Sequence, residues 1–248
     1  MEIKRLDPSN FPTTYVRVVE ANGIAYFTDH IAKPEYKTVR EQFAAIMARY
    51  EELFEKFGYT KKNVVFALFY LGKPHQQNEV EDIWQDWSSG IDAHAIWVPS
   101  TFYTDRKVAV TFFVAATDAA AEAARQDEGW YNDVADMFRL NGSAPRLTTH
   151  NGVTYLVGSA GTCGTSILEQ SKEALAQINA LMEAHGLKRE HLVEHFSYVA
   201  EGPEVDIDAY EAEWKNWVGT EHPPSGVRIQ TAFPKGHEVE ISLLFAAE

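Results

Sequence analysis

Glu240 lies between Val239 and Ile241 in a run that reads as a β-strand, so its carboxylate leaves the strand opposite theirs, toward solvent or toward a cleft. A carboxylate held in a cleft can orient a water molecule and take its proton. Arg228, between Val227 and Ile229, suits either a surface ion pair or a clamp on an anionic group. The stretch Gly158-Ser159-Ala160-Gly161-Thr162-Cys163-Gly164-Thr165 is rich in glycine and hydroxyl groups and stands after a strand and before a helix. Such a loop either presents backbone N–H groups to an anion or is a plain turn capped by Thr165 or Ser166. It lacks the Gly-Lys-Ser/Thr ending of a phosphate-binding loop, which disfavours nucleotides. Cys163 suits a nucleophile with a lowered pKa near a helix N-terminus, or simply a small apolar residue. His191 and His195, four apart, would be zinc ligands on a helix, but in a strand about 13 Å separates them at roughly 3.3 Å per residue. No metal is expected there.

The elements that must position these groups occur twice. Glu41/Glu169, Gln42/Gln170, Ala48/Ala176, Leu53/Leu181, Glu55/Glu183, Gly58/Gly186, Val65/Val193 and Tyr70/Tyr198 are identical pairs, each 128 positions apart. Trp84-x-x-Trp87 is answered by Trp214-x-x-Trp217, and Val108 to Ala115 by Val239 to Ala246. A period this long marks a duplicated domain, since stacked repeats run roughly 20 to 50 residues. Each half reads as a hairpin closed by Asn-Gly (Asn22-Gly23, Asn151-Gly152), a long amphipathic helix stopped by Gly58 or Gly186, and a buried strand. A shorter Trp-bearing helix and two closing strands complete it. The expected strands include Thr14 to Val19, Ala95 to Tyr103, Lys107 to Ala116, Val227 to Phe233 and Glu238 to Ala246. Thr117 to Asn141 is helix-prone and has no second copy. The boundaries are therefore domain 1 at 1–117, a helical connector at 118–145 with a hinge at Asn141 to Pro145, and domain 2 at 146–248.

With 248 residues, 45% of them hydrophobic, each half can bury a core. A formal net charge of −14 opposes both a phosphate backbone and an anionic membrane surface, so neither nucleic acid nor membrane is an expected partner. A lone cysteine makes no internal disulfide, the N-terminus carries no signal-like segment, and no apolar run reaches about 18 residues. The cytoplasm is the expected compartment.

The order Gly152-Val153-Thr154-Tyr155-Leu156-Val157-Gly158-Ser159, then Glu169-Gln170, Gly186-Leu187, His191-Leu192-Val193 and Phe233-Pro234-Lys235-Gly236-His237-Glu238-Val239-Glu240-Ile241 resembles the RidA/YjgF/YER057c family of enamine and imine deaminases. The resemblance covers most of both halves and is clearer in the second. It implies an α+β fold of two tandem RidA-like, chorismate-mutase-like domains, each a mixed sheet backed by two helices. It also implies oligomers with three-fold or pseudo-three-fold packing of domains. By the same resemblance Glu240 holds the position of the glutamate that orients the attacking water. Ser225 holds that of the arginine that grips a substrate carboxylate, so Arg228 is the nearby guanidinium that could replace it. In domain 1 these positions carry Ala109 and His94, which implies a non-catalytic copy.

The expected protein is a small-molecule enzyme that hydrolyses a C=N bond or an enamine tautomer, releasing ammonia without metal or organic cofactor. Glu240 would be catalytic, and Arg228, Ser159, Cys163, Thr165 and Ser225 would bind substrate. The alternative is a non-enzymatic metabolite-binding or assembly protein that kept the fold.

Overall fold

A computed structural model describes residues 2–6, 16–29, 35–72, 75–102, 105–138, 145–202 and 204–247. In chain order the elements are β1 (Ile3–Leu6), β2 (Val18–Ala21), β3 (Ile24–Asp29), α1 (Val39–Phe57), β4 (Val64–Leu71), α2 (Gln76–Trp87), β5 (His94–Pro99), β6 (Val108–Ala115), α3 (Asp118–Arg125) and α4 (Glu128–Asp136). Then come β7 (Arg146–His150), β8 (Val153–Ala160), α5 (Ile167–His185), β9 (Leu192–Ala200), α6 (Ile207–Val218), β10 (Ser225–Thr231) and β11 (Val239–Ala246). The fold is α+β, with a six-stranded sheet in the order β1-β2-β3-β6-β4-β5 and a five-stranded sheet in the order β10-β9-β11-β8-β7. Two compact units form, one of residues 23–131, the other of residues 1–22 with 132–248.

In residues 23–131, β6 runs antiparallel to both β3 and β4, and β4 runs parallel to β5. Helix α1 starts at Thr38, whose side chain accepts from the Glu41 amide while the Glu41 carboxylate accepts from the Thr38 amide, a reciprocal cap. It stops at Gly58, whose φ of 79° lies in the left-handed region. The stripe Phe43, Ile46, Tyr50, Leu53 and Phe54 is buried, with Tyr50 lying 4.4 Å from the Phe112 ring of β6. Trp84 and Trp87 of α2 stack on each other, and Trp87 stacks on Phe112 while Trp84 meets it at a tilt.

The second unit repeats this plan. Helix α5 starts at Ser166 with the same reciprocal cap to Glu169 and stops at Gly186, φ 67°. Its stripe of Ala174, Leu175, Ile178 and Met182 packs with Trp214 and Trp217 of α6 and with Val239, Ile241, Leu243 and Phe245 of β11. β9 runs parallel to β10 and antiparallel to β11, and β11 is antiparallel to β8. Both hairpin turns place Asn and Gly at positive φ, Asn22 and Gly23 at 51° and 78°, Asn151 and Gly152 at 50° and 70°.

One buried side chain shows how closely the copies agree. Gln42 donates to the carbonyls of Tyr36 and Asp105 and accepts from the Lys107 amide at 2.8 Å. Gln170 donates to the carbonyls of Thr165 and Gly236 and accepts from the Glu238 amide at 2.9 Å. Each glutamine ties the start of its long helix to the chain entering the last strand. The identity of Gln42 and Gln170 in the sequence is thereby explained.

Several boundaries differ from the sequence expectation. β2 begins at Val18, and residues 14 and 15 lie outside the described residues. β5 covers His94–Pro99 rather than extending to 103, another residue outside the described ones. β10 begins two residues earlier than expected, at Ser225, because it pairs with Glu194 from that residue onward. The segment after domain 1 forms two helices, with Thr117 capping α3, while hinge residues 141–144 are outside the described residues. Strand β1, unforeseen, pairs with β2, and Arg5 on it donates to the carbonyls of Pro223, Glu190 and Leu192.

Candidate functional site

Glu240 lies on β11 opposite Ala160 of β8 and Tyr198 of β9. Its neighbours Val239 and Ile241 join the core under α5 and α6, so strand alternation sends Glu240 to the other face of the sheet. It is only 1% exposed. The β8–β11 register slips between Ile241 and Leu243, and Gly158 occupies this irregularity at φ 79°. Its amide leaves the regular ladder and donates to the Ser242 hydroxyl at 3.1 Å. A Cβ at position 158 would stand 3.4 Å from Glu240 Oε1, an ordinary contact, so what the glycine provides beside the carboxylate is the left-handed backbone turn.

The Tyr198 hydroxyl donates to the Met137 carbonyl at 3.0 Å. Burial, with a further contribution from the Glu240 charge, holds its phenol well above the ordinary tyrosine range, so it stays a neutral donor. Phe138 meets Phe196 edge-to-face at 5.3 Å on the same sheet face. Residues 137–138 therefore lie over the strands beside Glu240.

A second carboxylate shares that face. Glu194 is fully buried, two strand positions from Phe196 and four from Tyr198. Ser225, opposite it on β10, donates its hydroxyl to the Glu194 carboxylate. Ser225 is thus engaged by a carboxylate of its own sheet, about 13 Å along β9 from the Tyr198–Glu240 pair at roughly 3.3 Å per residue.

The other candidate residues fall elsewhere. Arg228 is one residue from Ile229, which pairs with Tyr198, so its side chain leaves by the face opposite Glu240 and forms an ion pair with Glu211 of α6. Ser159 faces α5, where it is buried and donates to the Ala174 carbonyl at 2.8 Å. Thr165 donates to the Thr162 carbonyl at 2.8 Å, and Ser166 rather than Thr165 caps α5. Cys163 is exposed, and its S–H donates to the Lys235 carbonyl at 3.3 Å. The Gly164 amide donates to the Gly236 carbonyl and the Thr162 amide to Glu173, so the loop fastens the β10–β11 connection.

His195 lies on the helix-facing side, stacked 4.6 Å from Trp214. Its Nδ1 is 3.0 Å from the Ser225 carbonyl, which can only accept, so the proton resides on Nδ1. Burial lowers its pKa to about 4 and keeps the ring neutral. His94, which holds the place of Ser225 in the first unit, lies 2.7 Å from the Arg125 carbonyl and stacks on Phe66. Ala109 stands opposite Tyr70 as Glu240 stands opposite Tyr198. The first unit thus keeps the tyrosine without the carboxylate.

Sequence reasoning had not singled out Glu194. The available signal was its alternation with Phe196 and Tyr198, which puts it on the Glu240 face. Nor was a cavity of about 360 Å³ foreseen, lined by residues 200–201, 204–205 and 232–238. None of Glu240, Arg228, Ser159, Cys163, Thr165 or Ser225 lines it.

No family model matches the chain. Over 102 residues, 40% of this chain and 87% of the relative, it is 28% identical to the RutC family protein YoaB of Escherichia coli K12. The chain is thus similar to a RutC-family protein over somewhat less than half of its length. Solved structures similar to this chain include a YjgF-family protein from Neisseria meningitidis, at 23% identity and TM-score 0.38 over 44% of this chain and 94% of that one. Yeast Mmf1 aligns at 11% identity and TM-score 0.42, over 47% of this chain and all of Mmf1. Among the described residues no helix is long and apolar enough to cross a membrane.

Proposed function

We propose that the chain hydrolyses an enamine or imine of a small metabolite, with Glu240 as the group that handles the water. The observation that carries this reading is a carboxylate, 1% exposed, set beside a glycine bulge and a neutral tyrosine on one sheet face. In such a reaction water oxygen adds to the C=N carbon while the carboxylate takes the water proton. That proton passes to nitrogen to give a carbinolamine, whose hydroxyl proton is then carried by the carboxylate to the amino group as the C–N bond breaks, so that ammonia leaves behind a carbonyl compound. An enamine first tautomerises to the imine by protonation at carbon. The chemistry asks of this chain only a base and a proton donor. The contribution of Arg228, Ser159, Cys163, Thr165 and Ser225 to substrate binding belongs to the same proposal, although each is engaged within the protein. Met137 and Phe138 meet Tyr198 and Phe196 on the sheet face that carries Glu240.

A second reading is a metabolite-binding protein without turnover. Its specific support is that Ser225 is engaged by Glu194 and Arg228 by Glu211, which leaves neither as a ready clamp for a substrate carboxylate. The two readings separate when the purified chain meets an imine generated in situ by an amino-acid oxidase and carbonyl release is followed. Acceleration that disappears in Glu240→Gln supports the hydrolase; tight binding without acceleration supports the second reading.

Three-fold or pseudo-three-fold assembly of domains is also proposed, on the resemblance alone. Strands Val108–Ala115 and Val239–Ala246 are buried within one chain.

A further inference from the structure

Of the two Asn-Gly turns that close the hairpins, one covers the other. Asn22 is exposed at the tip of its turn, and its side-chain nitrogen donates to the Gly152 carbonyl and, at 3.2 Å, to the Ala247 carbonyl. Both neighbours can only accept, so the atom between them is the amide nitrogen and not the amide oxygen. The Gly152 carbonyl also accepts from the Ala247 amide at 2.7 Å. Asn22 therefore fastens the chain leaving β11 to the turn between β7 and β8.

The two glycines differ in their surroundings. A Cβ built on Gly152 would meet Asn22 Nδ2 at 2.9 Å, whereas one built on Gly23 would meet nothing within 4 Å. The Asn22-Gly23 turn is open, and the Asn151-Gly152 turn lies under the Asn22 side chain. A third pair, Asn141-Gly142, falls outside the described residues.

An asparagine followed by glycine carries its own chemistry, because no side chain shields the next backbone nitrogen. Gly23 N gives up its proton and bonds to Asn22 Cγ; the Cγ–Nδ2 bond breaks, and Nδ2 leaves with that proton as ammonia. Water then adds to one of the two carbonyls of the cyclic imide and reopens it to aspartate or isoaspartate. The only co-reactant is water. Two exposed hydrogen bonds, each worth about 1 kcal/mol net, do not hold the Asn22 side chain for long against solvent. The nitrogen expelled is the atom that makes both ties, and the carboxylate left behind cannot donate to either carbonyl.

We propose that Asn22-Gly23 is a self-modifying site that deamidates before Asn151-Gly152. Its reaction unfastens the turn at Gly152 and the end of β11, and so opens the second pair to the same chemistry. This order does not depend on the reaction assigned to Glu240.

Ageing the full chain at mildly alkaline pH, with peptide mapping by mass spectrometry at intervals, tests it. In the folded chain Asn22 should convert first and Asn151 only later. In urea, where neither turn persists, the two should convert at similar rates. Asn22→Asp should speed conversion of Asn151 by about fivefold, the effect of one net hydrogen bond on a local opening equilibrium. Conversion of Asn151 as early as Asn22 in the folded chain overturns the proposal, as does an Asn22 that stays intact while the urea sample converts. An unchanged Asn151 rate in folded Asn22→Asp overturns the unfastening. The wild-type time course decides the order even where that variant fails to fold.

Discussion

Tyr198 and Glu240 face each other across the β9–β11 ladder, and in the first sheet the same two places are held by Tyr70 and Ala109. The duplication thus conserves the scaffold of the pair and differs in the one residue that carries charge. Any chemistry of this pair falls to the second copy.

Ala109→Glu completes the pair formally, but should not confer a second active site. Ala109 is fully buried opposite Tyr70, so the new carboxylate loses hydration without a built partner. A loss of about 1–3 kcal/mol in urea unfolding is expected, with no gain in turnover; a gain would show that the first unit is competent.

Gly158→Ala tests the bulge. Alanine at φ 79° costs about 1–2 kcal/mol, and its Cβ would stand 3.4 Å from Glu240 Oε1. Both stability and any Glu240-dependent rate should fall. A variant as stable as the parent would show that the bulge is not needed for the carboxylate.

Stability should depend on pH through His195. Its pKa is about 4 in the folded chain and about 6.5 when unfolded, so the unfolded chain binds the extra proton between these values. The contribution is complete above pH 6.5 and is lost as pH falls toward 4, a span worth roughly 3 kcal/mol. Urea midpoints measured from pH 4 to 7 should slope upward, and His195→Phe should flatten that part of the slope. An unchanged slope in the variant would assign it to the carboxylates.

Gln42→Leu and Gln170→Leu should each destabilise by about 1–3 kcal/mol, since each leaves an amide and two carbonyls without their partner. Thermal melts of the two variants are the check. If only one variant is affected, the equivalence of the two ties fails.

The fold was largely legible because its signals are local. Asn-Gly turns, reciprocal caps at Thr38 and Ser166, stop glycines at 58 and 186 and paired tryptophans are each set by a few neighbouring residues. Glu240 was legible as a strand carboxylate because alternation fixes its face. The partners of Arg228 and Ser225 were not, because they come from α6 and β9, 17 and 31 residues away in the chain. Local pattern says which face a side chain takes, but not which distant charge reaches it first. Strand β1 was illegible for the same reason, its pairing with β2 being set by register and not by composition.

The most direct test of a catalytic Glu240 compares the wild-type chain with Glu240→Gln in a coupled assay of carbonyl release from an imine formed in situ. The substitution preserves volume and hydrogen bonding while removing the base. Turnover should fall by roughly 10² to 10⁴, the usual contribution of a positioned acid or base, with the urea midpoint nearly unchanged. Undiminished turnover in Glu240→Gln, or turnover abolished instead by His94→Ala in the first unit, would contradict the assignment of the chemistry to the second copy.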